Sequence, residues 1–315
     1  MNIVFMGTPD LAAECLRAIY EKPGVTISAV ATQTDKPKGR GMKLVPPPVK
    51  VFAEEHGIPV YQPKTLRDGS FQTVLDEYKP ELIIVVAYGK ILPDYVLNYP
   101  RYGCVNAHGS LLPKYRGAAP IQRAIIAGES ITGITSMFMD DGIDTGDMIL
   151  KLECPIEDTD NFGSLHDKLA RLAGEAMCKT IDMIEGGSIR REKQPDEGAC
   201  YAAKIEKEDA VIDFSCSPRE VFNLIRGLSP SPCAMTRNEA GKLLKITAAD
   251  APDETAAPED AIPGQVIATE NGKISICCGG GILCVTGVIP EGKKAMSAAD
   301  YIRGRQIHPG EILKY

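Results

Sequence analysis

The chain has 315 residues, of which 44% are hydrophobic and 24% charged, and its formal net charge is −7. This composition is typical of a globular enzyme, and the length allows one large domain or two ordinary ones. No apolar run approaches the roughly 18 to 20 residues of a membrane span, and "MNIVFMGTPD" lacks the pattern of a signal peptide. We therefore expect a cytoplasmic protein.

Apolar strand patterns alternate with amphipathic helix patterns over the first half of the chain. This alternation predicts an α/β fold with a doubly wound parallel sheet, whose ligands bind at the carboxyl ends of the strands. We place this domain at residues 1–187. The predicted strands are 2–7, 25–33, "IPVYQP", 81–89, "YGCVNAHGS" and "ITGITSMFMD", and the predicted helices are 9–20, 47–57, "GSFQTVLDEYKP", 120–128 and 161–187.

The pattern changes in the second half of the chain. Residues 188–205 are polar and predict a linker, whereas 206–315 contain short strands separated by turns and one helix, "EVFNLIRGL". The Asn271-Gly272 pair predicts a hairpin turn. We therefore expect a small antiparallel domain at 206–315, built as an open β-barrel.

Two simple ligand classes are not favoured. The first strand ends at Gly7, but a dinucleotide fingerprint needs three spaced glycines, so we expect Gly7 only to allow a tight turn. The ten cysteines are scattered, and Cys277, Cys278 and Cys284 fit no usual zinc spacing. Reduced cysteines in the core are the simpler expectation.

Positive charge is concentrated in "DKPKGRGMKLVPPPVK", residues 35–50. This stretch holds four lysines and one arginine against a single acid, Asp35, in a chain that is acidic. Its glycines and prolines predict an irregular loop. Such cations can neutralise nucleic-acid phosphates, although by charge alone a solvated loop without a partner is the simpler explanation.

Candidate catalytic groups follow two of the predicted strands. Asn106 and His108 lie two residues apart, on one face of an extended strand, and a glycine-containing loop at 139–149 carries four aspartates. Taken alone, such a His is usually structural, and such aspartates can form turns or bind a metal. The loop aspartates are Asp140, Asp141, Asp144 and Asp147.

An Asn, a His and an Asp together suit acyl transfer to an amine. An amide and a protonated imidazole can donate to the oxygen on which negative charge develops, and one such donor contributes roughly 10²- to 10³-fold in rate. A carboxylate can orient the imidazole and help to move the proton of the amine. No Ser or Cys lies in a nucleophile-elbow context, so direct transfer is favoured over a covalent enzyme intermediate.

These residues resemble the folate-dependent formyltransferases, whose pattern is Asn-x-His-x-Ser-x-Leu-Pro followed by an Asp in a glycine-rich loop. The resemblance extends over nearly the full length to the members that act on methionyl-tRNA, through "MGTPDLA", "AYGKILP", "NAHGSLLPKYRGAAPIQRAI", "DTGDMI" and "YAAKI". The pattern is present here as Asn106, His108, Ser110, Leu112 and Pro113, with Asp144.

The resemblance implies a Rossmann-like formyltransferase domain followed by an OB-like tRNA-binding domain. It implies transfer of a formyl group from 10-formyltetrahydrofolate to the methionine of initiator methionyl-tRNA, for translation initiation and without a metal. Asn106, His108 and Asp144 are then the expected catalytic residues. The expected folate-binding residues are Tyr88, Gly89, Ile91, Leu92, Ser110, Leu111, Leu112 and Pro113.

The resemblance also gives the basic loop a partner, because the loop is similar to an insertion of the family that meets tRNA. Arg40 is the preferred contact, since a guanidinium can bind phosphate or base edges bidentately. Residues 205–315 hold 12 basic and 15 acidic side chains, so net charge does not demonstrate a tRNA-binding face there. The expected tRNA contacts are Lys38, Arg40, Lys43, Lys204 and Lys207.

Other acceptors remain open, because relatives with the same trio formylate glycinamide ribonucleotide or a nucleotide-linked amino sugar, or hydrolyse the formyl-folate. The first is a single-domain enzyme, so residues 206–315 argue against it. The amino-sugar enzyme has a comparable second domain, and the loop at 35–50 is what favours tRNA. A binding module with a decayed site is disfavoured by the intact trio. We expect a monomer.

Overall fold

The computed structural model describes residues 1–38, 42–253 and 255–315. The strands are β1 (Asn2–Gly7), β2 (Thr26–Ala31), β3 (Lys36–Lys38), β4 (Lys43–Val45), β5 (Val60–Tyr61), β6 (Leu82–Val86), β7 (Cys104–His108), β8 (Arg116–Gly117), β9 (Ile131–Phe138), β10 (Met148–Pro155), β11 (Tyr201–Ala202), β12 (Ala234–Arg237), β13 (Leu243–Ala249), β14 (Val266–Ala268), β15 (Ile274–Cys278), β16 (Gly281–Pro290) and β17 (Met296–Ser297). The helices are α1 (Asp10–Tyr20), α2 (Pro48–Glu55), α3 (Gln72–Tyr78), α4 (Asp94–Leu97), α5 (Pro120–Ile126), α6 (Phe162–Glu185), α7 (Pro218–Leu228) and α8 (Ala298–Arg303), with a 3-10 turn at Glu208–Ala210.

The chain forms two compact units that interleave along the sequence. The first unit contains Met1–Gly117, Ile131–Pro155 and His166–Ala202. The second contains Ala118–Ser130, Ile156–Leu165 and Ala203–Tyr315. The boundaries drawn from the sequence at 187 and 205 stay a prediction.

A seven-stranded sheet organises the first unit, in the order β5-β2-β1-β6-β7-β9-β10. The five strands from β5 to β7 are parallel, which confirms the predicted doubly wound sheet. The two remaining strands, β9 and β10, are antiparallel to their neighbours. The prediction that "ITGITSMFMD" joins a parallel sheet was wrong, because apolar periodicity identifies a strand without fixing its direction.

Apolar residues that are buried on both faces explain why the central strands form. All five residues of β6 are buried, as are five of the six residues of β1. The strand order reverses between these two strands, since β1 continues toward β2 on one side and β6 toward β7 on the other. Ligands of doubly wound sheets bind at such a reversal, outside the carboxyl ends of the strands.

Gly7, at the end of β1, lies where the packing leaves no room for a side chain. Its backbone is not left-handed, but a Cβ there would lie 2.8 Å from the Cβ of Ala12 and 2.9 Å from the carbonyl oxygen of Val86. Such distances are far inside van der Waals contact, so only glycine lets α1 and β6 approach β1 this closely. The tight-turn interpretation of Gly7 was therefore wrong.

The basic stretch at 35–50 is more regular than the predicted loop. Strands β3 and β4 pair antiparallel, with Lys36 opposite Val45 and Lys38 opposite Lys43. We call the described residues of this pair, 36–38 and 42–45, the basic hairpin. The loop prediction was wrong on this point because it counted glycines and prolines, whereas the pairing depends on the backbone hydrogen bonds of the residues between them.

The second unit is an antiparallel sheet of β12, β13, β16, β15 and β14, with β17 beside β16. The Asn271-Gly272 turn joins β14 to β15, and both residues have positive φ, as the predicted hairpin turn requires. The C-terminal residues close the gap between the edge strands. Lys314 exchanges backbone hydrogen bonds with Arg237 of β12, and Leu313 donates to Gly264, two residues before β14. This closure agrees with the predicted barrel.

In the described part of the chain, no helix combines the length and apolar character that crossing a bilayer requires. All ten cysteines are free thiols, and six of them are buried. Burial raises the pKa of the Cys104 thiol to about 12, which keeps it protonated and unreactive at neutral pH. Cys200 is exposed and does not fit the expectation of core cysteines.

Candidate active site

Strand β7 places Asn106 and His108 on one face of the sheet. The two residues are separated by one position, and side chains of a strand alternate between its faces. His108 is 5% exposed and Asn106 is half-buried. Their spacing therefore depends only on the pleat of a strand whose register with β6 and β9 is set by backbone hydrogen bonds.

Asp144 reaches the same place from the connection between β9 and β10. Its Oδ1 accepts from Asn106 Nδ2 at 3.4 Å, and its Oδ2 lies 3.5 Å from His108 Nδ1. Asp144 has a φ of +54°, in the left-handed region that aspartate tolerates better than most residues. The structure thus brings the predicted trio into one cluster.

The tautomer of His108 follows from its second contact. His108 Nε2 lies 2.8 Å from the carbonyl oxygen of Tyr115, and a carbonyl only accepts, so Nε2 carries a hydrogen. Nδ1 is then the ring nitrogen that faces the carboxylate of Asp144. A proton that the ring takes up on Nδ1 is therefore placed beside the negative charge of Asp144.

Several groups that orient Asp144 were missed from the sequence. The backbone N–H of Gly117 donates to Asp144 Oδ2 at 2.9 Å. Gln194 Nε2 donates to the carbonyl oxygens of Asp144 and Gly146, both at 2.8 Å. Backbone donors leave no signal in the side-chain sequence, and Gln194 lies in a polar stretch without apolar periodicity.

The polar stretch that was predicted as a linker packs on the first unit. Glu192 exchanges backbone hydrogen bonds with Met148, and β11 pairs in parallel with β8. Cys200 accepts the backbone N–H of Arg116 through its carbonyl. We call residues 192–202 the strap, because these contacts attach it beside both loops of the cluster.

The loop after β7 owes its shape to Ser110 and Thr135. The hydroxyl of Ser110 donates to the carbonyl of Lys114 at 2.6 Å, and Thr135 Oγ1 donates to the carbonyl of Ser110 at 2.7 Å. The same Thr135 oxygen accepts from the backbone N–H of Leu112. Ser110 is fully buried. Its hydroxyl therefore stabilises the loop, and the expected contact of Ser110 with a folate stays a prediction.

The expected folate residues divide into buried and accessible groups. The side chains of Tyr88, Leu92, Ser110 and Leu112 are buried, whereas those of Leu111 and Pro113 are half-buried. Gly89 is exposed, and Ile91 is 66% exposed. The carbonyl of Tyr88 accepts from the side chains of Gln33 and Thr8, which fixes the loop after β6.

Exposed apolar side chains on two loops of the first unit suit a flat aromatic ligand. Ile91 lies on the loop after β6, and Ile143, next to Asp144 in the chain, is 53% exposed. Isolated exposed isoleucines are ordinary, but apolar side chains are what a small-ligand site offers to an aromatic ring.

The predicted tRNA contacts that the structure describes belong to two different units. Lys38 and Lys43 pair in the basic hairpin, and Lys43 is exposed. Arg40 lies outside the described residues. Lys204 and Lys207 belong to the second unit and are both exposed, and Lys204 Nζ is 3.4 Å from Glu206.

A partly buried ion pair holds the base of the basic hairpin. Lys50 Nζ donates to both carboxylate oxygens of Asp35 at 3.0 Å, and Gln62 Nε2 donates to Asp35 Oδ1 at 2.8 Å. Gln62 also donates to the carbonyl of Gln33 at 2.7 Å. Lys50 therefore belongs to the framework of the hairpin, unlike the exposed Lys43.

Within the described residues, no group of three or more His, Cys, Asp or Glu side chains is arranged to hold a metal ion. Asp140 has a different role from the one that metal binding would require. Asp140 accepts from the backbone N–H of Gly142 and from the hydroxyl of Thr145, which is a turn-forming role.

Known proteins match this chain along both of its halves. Residues 1–181 match the formyl transferase family, and residues 204–306 match the formyl transferase C-terminal domain. A methionyl-tRNA formyltransferase of Geobacter metallireducens is 46% identical over 98% of this chain and 97% of that protein. The chain belongs to the methionyl-tRNA formyltransferase family. Another member, from Lachnospira eligens, is 44% identical over 99% of both chains.

Solved structures share the fold of this chain at low sequence identity. The sugar 3N-formyl transferase WlaRD, solved in the presence of dTDP and 5-N-formyl-THF, has a TM-score of 0.65 at 20% identity, over 93% of this chain and 99% of that chain. HypX from Aquifex aeolicus, in complex with tetrahydrofolic acid, has a TM-score of 0.62 at 17% identity, over 95% of this chain and 46% of that chain.

The ion pair at the base of the hairpin predicts a pH-dependent stability. The hydrogen bonds from Gln62 and Lys50 hold the pKa of Asp35 below its ordinary value of 3.8. The ionised form therefore stabilises the fold at neutral pH, and this contribution is lost as the pH falls through the lowered pKa. Asp35→Asn should lower the urea midpoint of unfolding at pH 7, and the difference should shrink toward pH 3. An undiminished difference at pH 3 would contradict the assignment.

Proposed function

We propose that this protein is a transferase that moves the formyl group of 10-formyltetrahydrofolate to the methionine amine of initiator methionyl-tRNA. We place the reaction in the cytoplasm and assign the protein as a monomer that acts in translation initiation. The observation that carries the proposal is the cluster of Asn106, His108 and Asp144 at the end of β7. Membership of the methionyl-tRNA formyltransferase family supports the choice of donor and acceptor.

The formyl-folate carries its formyl group on a nitrogen atom, and its transfer to an amine sets requirements on the amine, on the protons and on the formyl oxygen. The acceptor amine has to attack in its neutral form and then lose a proton, while the folate nitrogen has to gain one. Negative charge develops on the formyl oxygen during the attack, and it needs donors that are already aimed at it.

Asn106 and His108 supply those donors. The amide of Asn106 has two hydrogens, and the contact with Asp144 Oδ1 uses one of them, so the other can be donated to the formyl oxygen. His108 is fixed through Nε2 to the carbonyl of Tyr115, and its Nδ1 faces the carboxylate of Asp144. In this proposal a proton on Nδ1 is shared between that carboxylate and the formyl oxygen. Each donor is expected to contribute roughly 10²- to 10³-fold in rate.

Asp144 completes the arrangement as a carboxylate between the amide and the imidazole. It stabilises a proton on His108 Nδ1, and it can help to accept the proton of the attacking amine. Proton transfer of this kind contributes roughly 10²- to 10⁴-fold. Because none of these three side chains is placed as a nucleophile, the amine attacks the formyl carbon directly.

Removing the carboxylate or the imidazole should stop the chemistry. Asp144→Asn and His108→Ala should each lower kcat by at least about 10²-fold, because both charges act on the transferring atoms. Binding of methionyl-tRNA should survive in both variants. Turnover measured with purified methionyl-tRNA, and tRNA binding measured by filter retention, separate the two effects.

Asp141→Asn provides the matched control, because Asp141 is exposed and lies in the same loop. It should keep the kcat of the unchanged protein. Near-normal turnover in either Asp144→Asn or His108→Ala would refute the proposed mechanism.

The basic hairpin should act on tRNA binding and its dependence on salt. We expect Lys43→Ala and Arg40→Ala to weaken productive binding of methionyl-tRNA and to reduce the slope of log K against log salt by about one for each phosphate that is no longer neutralised. Lys179→Ala is the control, since Lys179 pairs on the surface of α6 with Glu175. An unchanged salt slope in the hairpin variants would remove the hairpin from the interface.

A choice of acceptors tests the proposed function most directly. The purified protein is supplied with 10-formyltetrahydrofolate and, in parallel, with methionyl-tRNA, a nucleotide-linked amino sugar or glycinamide ribonucleotide. We expect formylation of methionyl-tRNA alone. Formylation of the sugar without the tRNA would show that the acceptor is wrong while the catalytic cluster is right.

A further inference from the structure

Gln194 connects the strap to the loop that carries Asp144. Its Nε2 donates to two carbonyl oxygens, those of Asp144 and Gly146, at 2.8 Å each. Its Oε1 accepts from Arg116 Nε, also at 2.8 Å. The side chain is half-buried, and both amide hydrogens and the amide oxygen are engaged.

These partners fix the orientation of the amide. Carbonyl oxygens only accept, so they must face the NH₂ group, and the Nε of an arginine only donates, so it must face the oxygen. An inverted amide would place its oxygen against two carbonyl oxygens and its NH₂ group against Arg116. Gln194 is therefore held in one orientation by three contacts that all agree.

The conformation of the loop requires support from surrounding contacts. The backbone of Asp144 is left-handed, and such a conformation of a residue other than glycine persists only where its surroundings impose it. Two residues later the backbone is tightly packed, because a Cβ at Gly146 would lie 1.9 Å from the carbonyl oxygen of Phe138. The two carbonyls that Gln194 binds lie on either side of Thr145, so its amide spans the turn that aims the carboxylate.

We propose that Gln194 is a positioning residue for catalysis, which holds the Asp144 backbone left-handed and thereby directs its carboxylate at Asn106 and His108. Arg116 supports it by fixing the amide orientation. The inference rests on the proposed function where turnover is the readout. The proposed role of Gln194 is to orient the Asp144 carboxylate, and it does not include the binding of either substrate.

The variant Gln194→Met keeps the length and approximate volume of the side chain and removes both donors. We expect kcat to fall by roughly ten- to hundred-fold, since displacement by about 1 Å of a reacting group can have that effect. KM for the folate donor and for methionyl-tRNA should stay unchanged. Gln72→Met is the control, because Gln72 is also half-buried and its side chain donates to Asp76 within α3.

A second measurement is independent of turnover. The ¹⁵N shifts of the four histidines report how each ring shares its hydrogens, and the His108 signals are identified by their loss in His108→Gln. Displacement of Asp144 should move the His108 signals in Gln194→Met and leave those of His56, His166 and His308 in place. The proposal would be overturned if the His108 signals of Gln194→Met stayed in place, or if this variant kept the kcat of the parent protein.

Thermal unfolding shows whether Gln194→Met folds. If it does not, Gln194→Glu is the variant that tests the proposal. Glutamate has the same shape and keeps an acceptor for Arg116, but its carboxylate oxygen faces the two carbonyls without a hydrogen. Its kcat should therefore fall at least as far, and a parent-like kcat would also overturn the proposal. If the unchanged protein formylates no acceptor, the proposed function fails, while the ¹⁵N comparison still tests the role of Gln194.

Discussion

The proposed catalytic cluster depends on holding one carboxylate between an amide and an imidazole. Asn106 and His108 need little help, because they are consecutive side chains on one face of a hydrogen-bonded strand. Asp144 lies in a connection without regular structure and with a left-handed backbone. The N–H of Gly117 and the amide of Gln194 supply the constraints that a strand or helix would otherwise provide.

Side-chain hydrogen bonds also hold the loops at other strand ends of the first unit. Asp35 and Lys50 close the base of the basic hairpin, and Gln62 connects this pair to the backbone at Gln33. The side chain of Gln33 in turn donates to the carbonyl of Tyr88. A continuous set of hydrogen bonds therefore joins the segment proposed to meet tRNA to the loop proposed to meet the folate. Both substrates would be received by loops that share one polar framework.

Sequence patterns predicted the regular parts of the fold well and the connections poorly. The apolar run of β6 and the helical period of α6 are local properties, and both elements formed where they were expected. The direction of β9 depends on where the preceding connection delivers the chain, which periodicity does not contain. The space at Gly7 depends on Ala12 and Val86, of which only the first is nearby in sequence.

Residue types and short spacings are properties of the chain alone, and they specified which chemical groups the protein has and which strands carry them. The motif from Asn106 to Pro113, followed by Asp144, was therefore sufficient to predict a folate-dependent formyltransferase. The choice of methionyl-tRNA came from the wider resemblance and the loop at 35–50. The orientation of these groups came from the folded chain. The hydrogen of His108 Nε2, the exposure of the loops proposed to bind the folate, and the contacts of Gln194 all depend on the tertiary structure. Hydrogen bonds of this kind are set by the packing of the sheet and its loops, which no local pattern encodes.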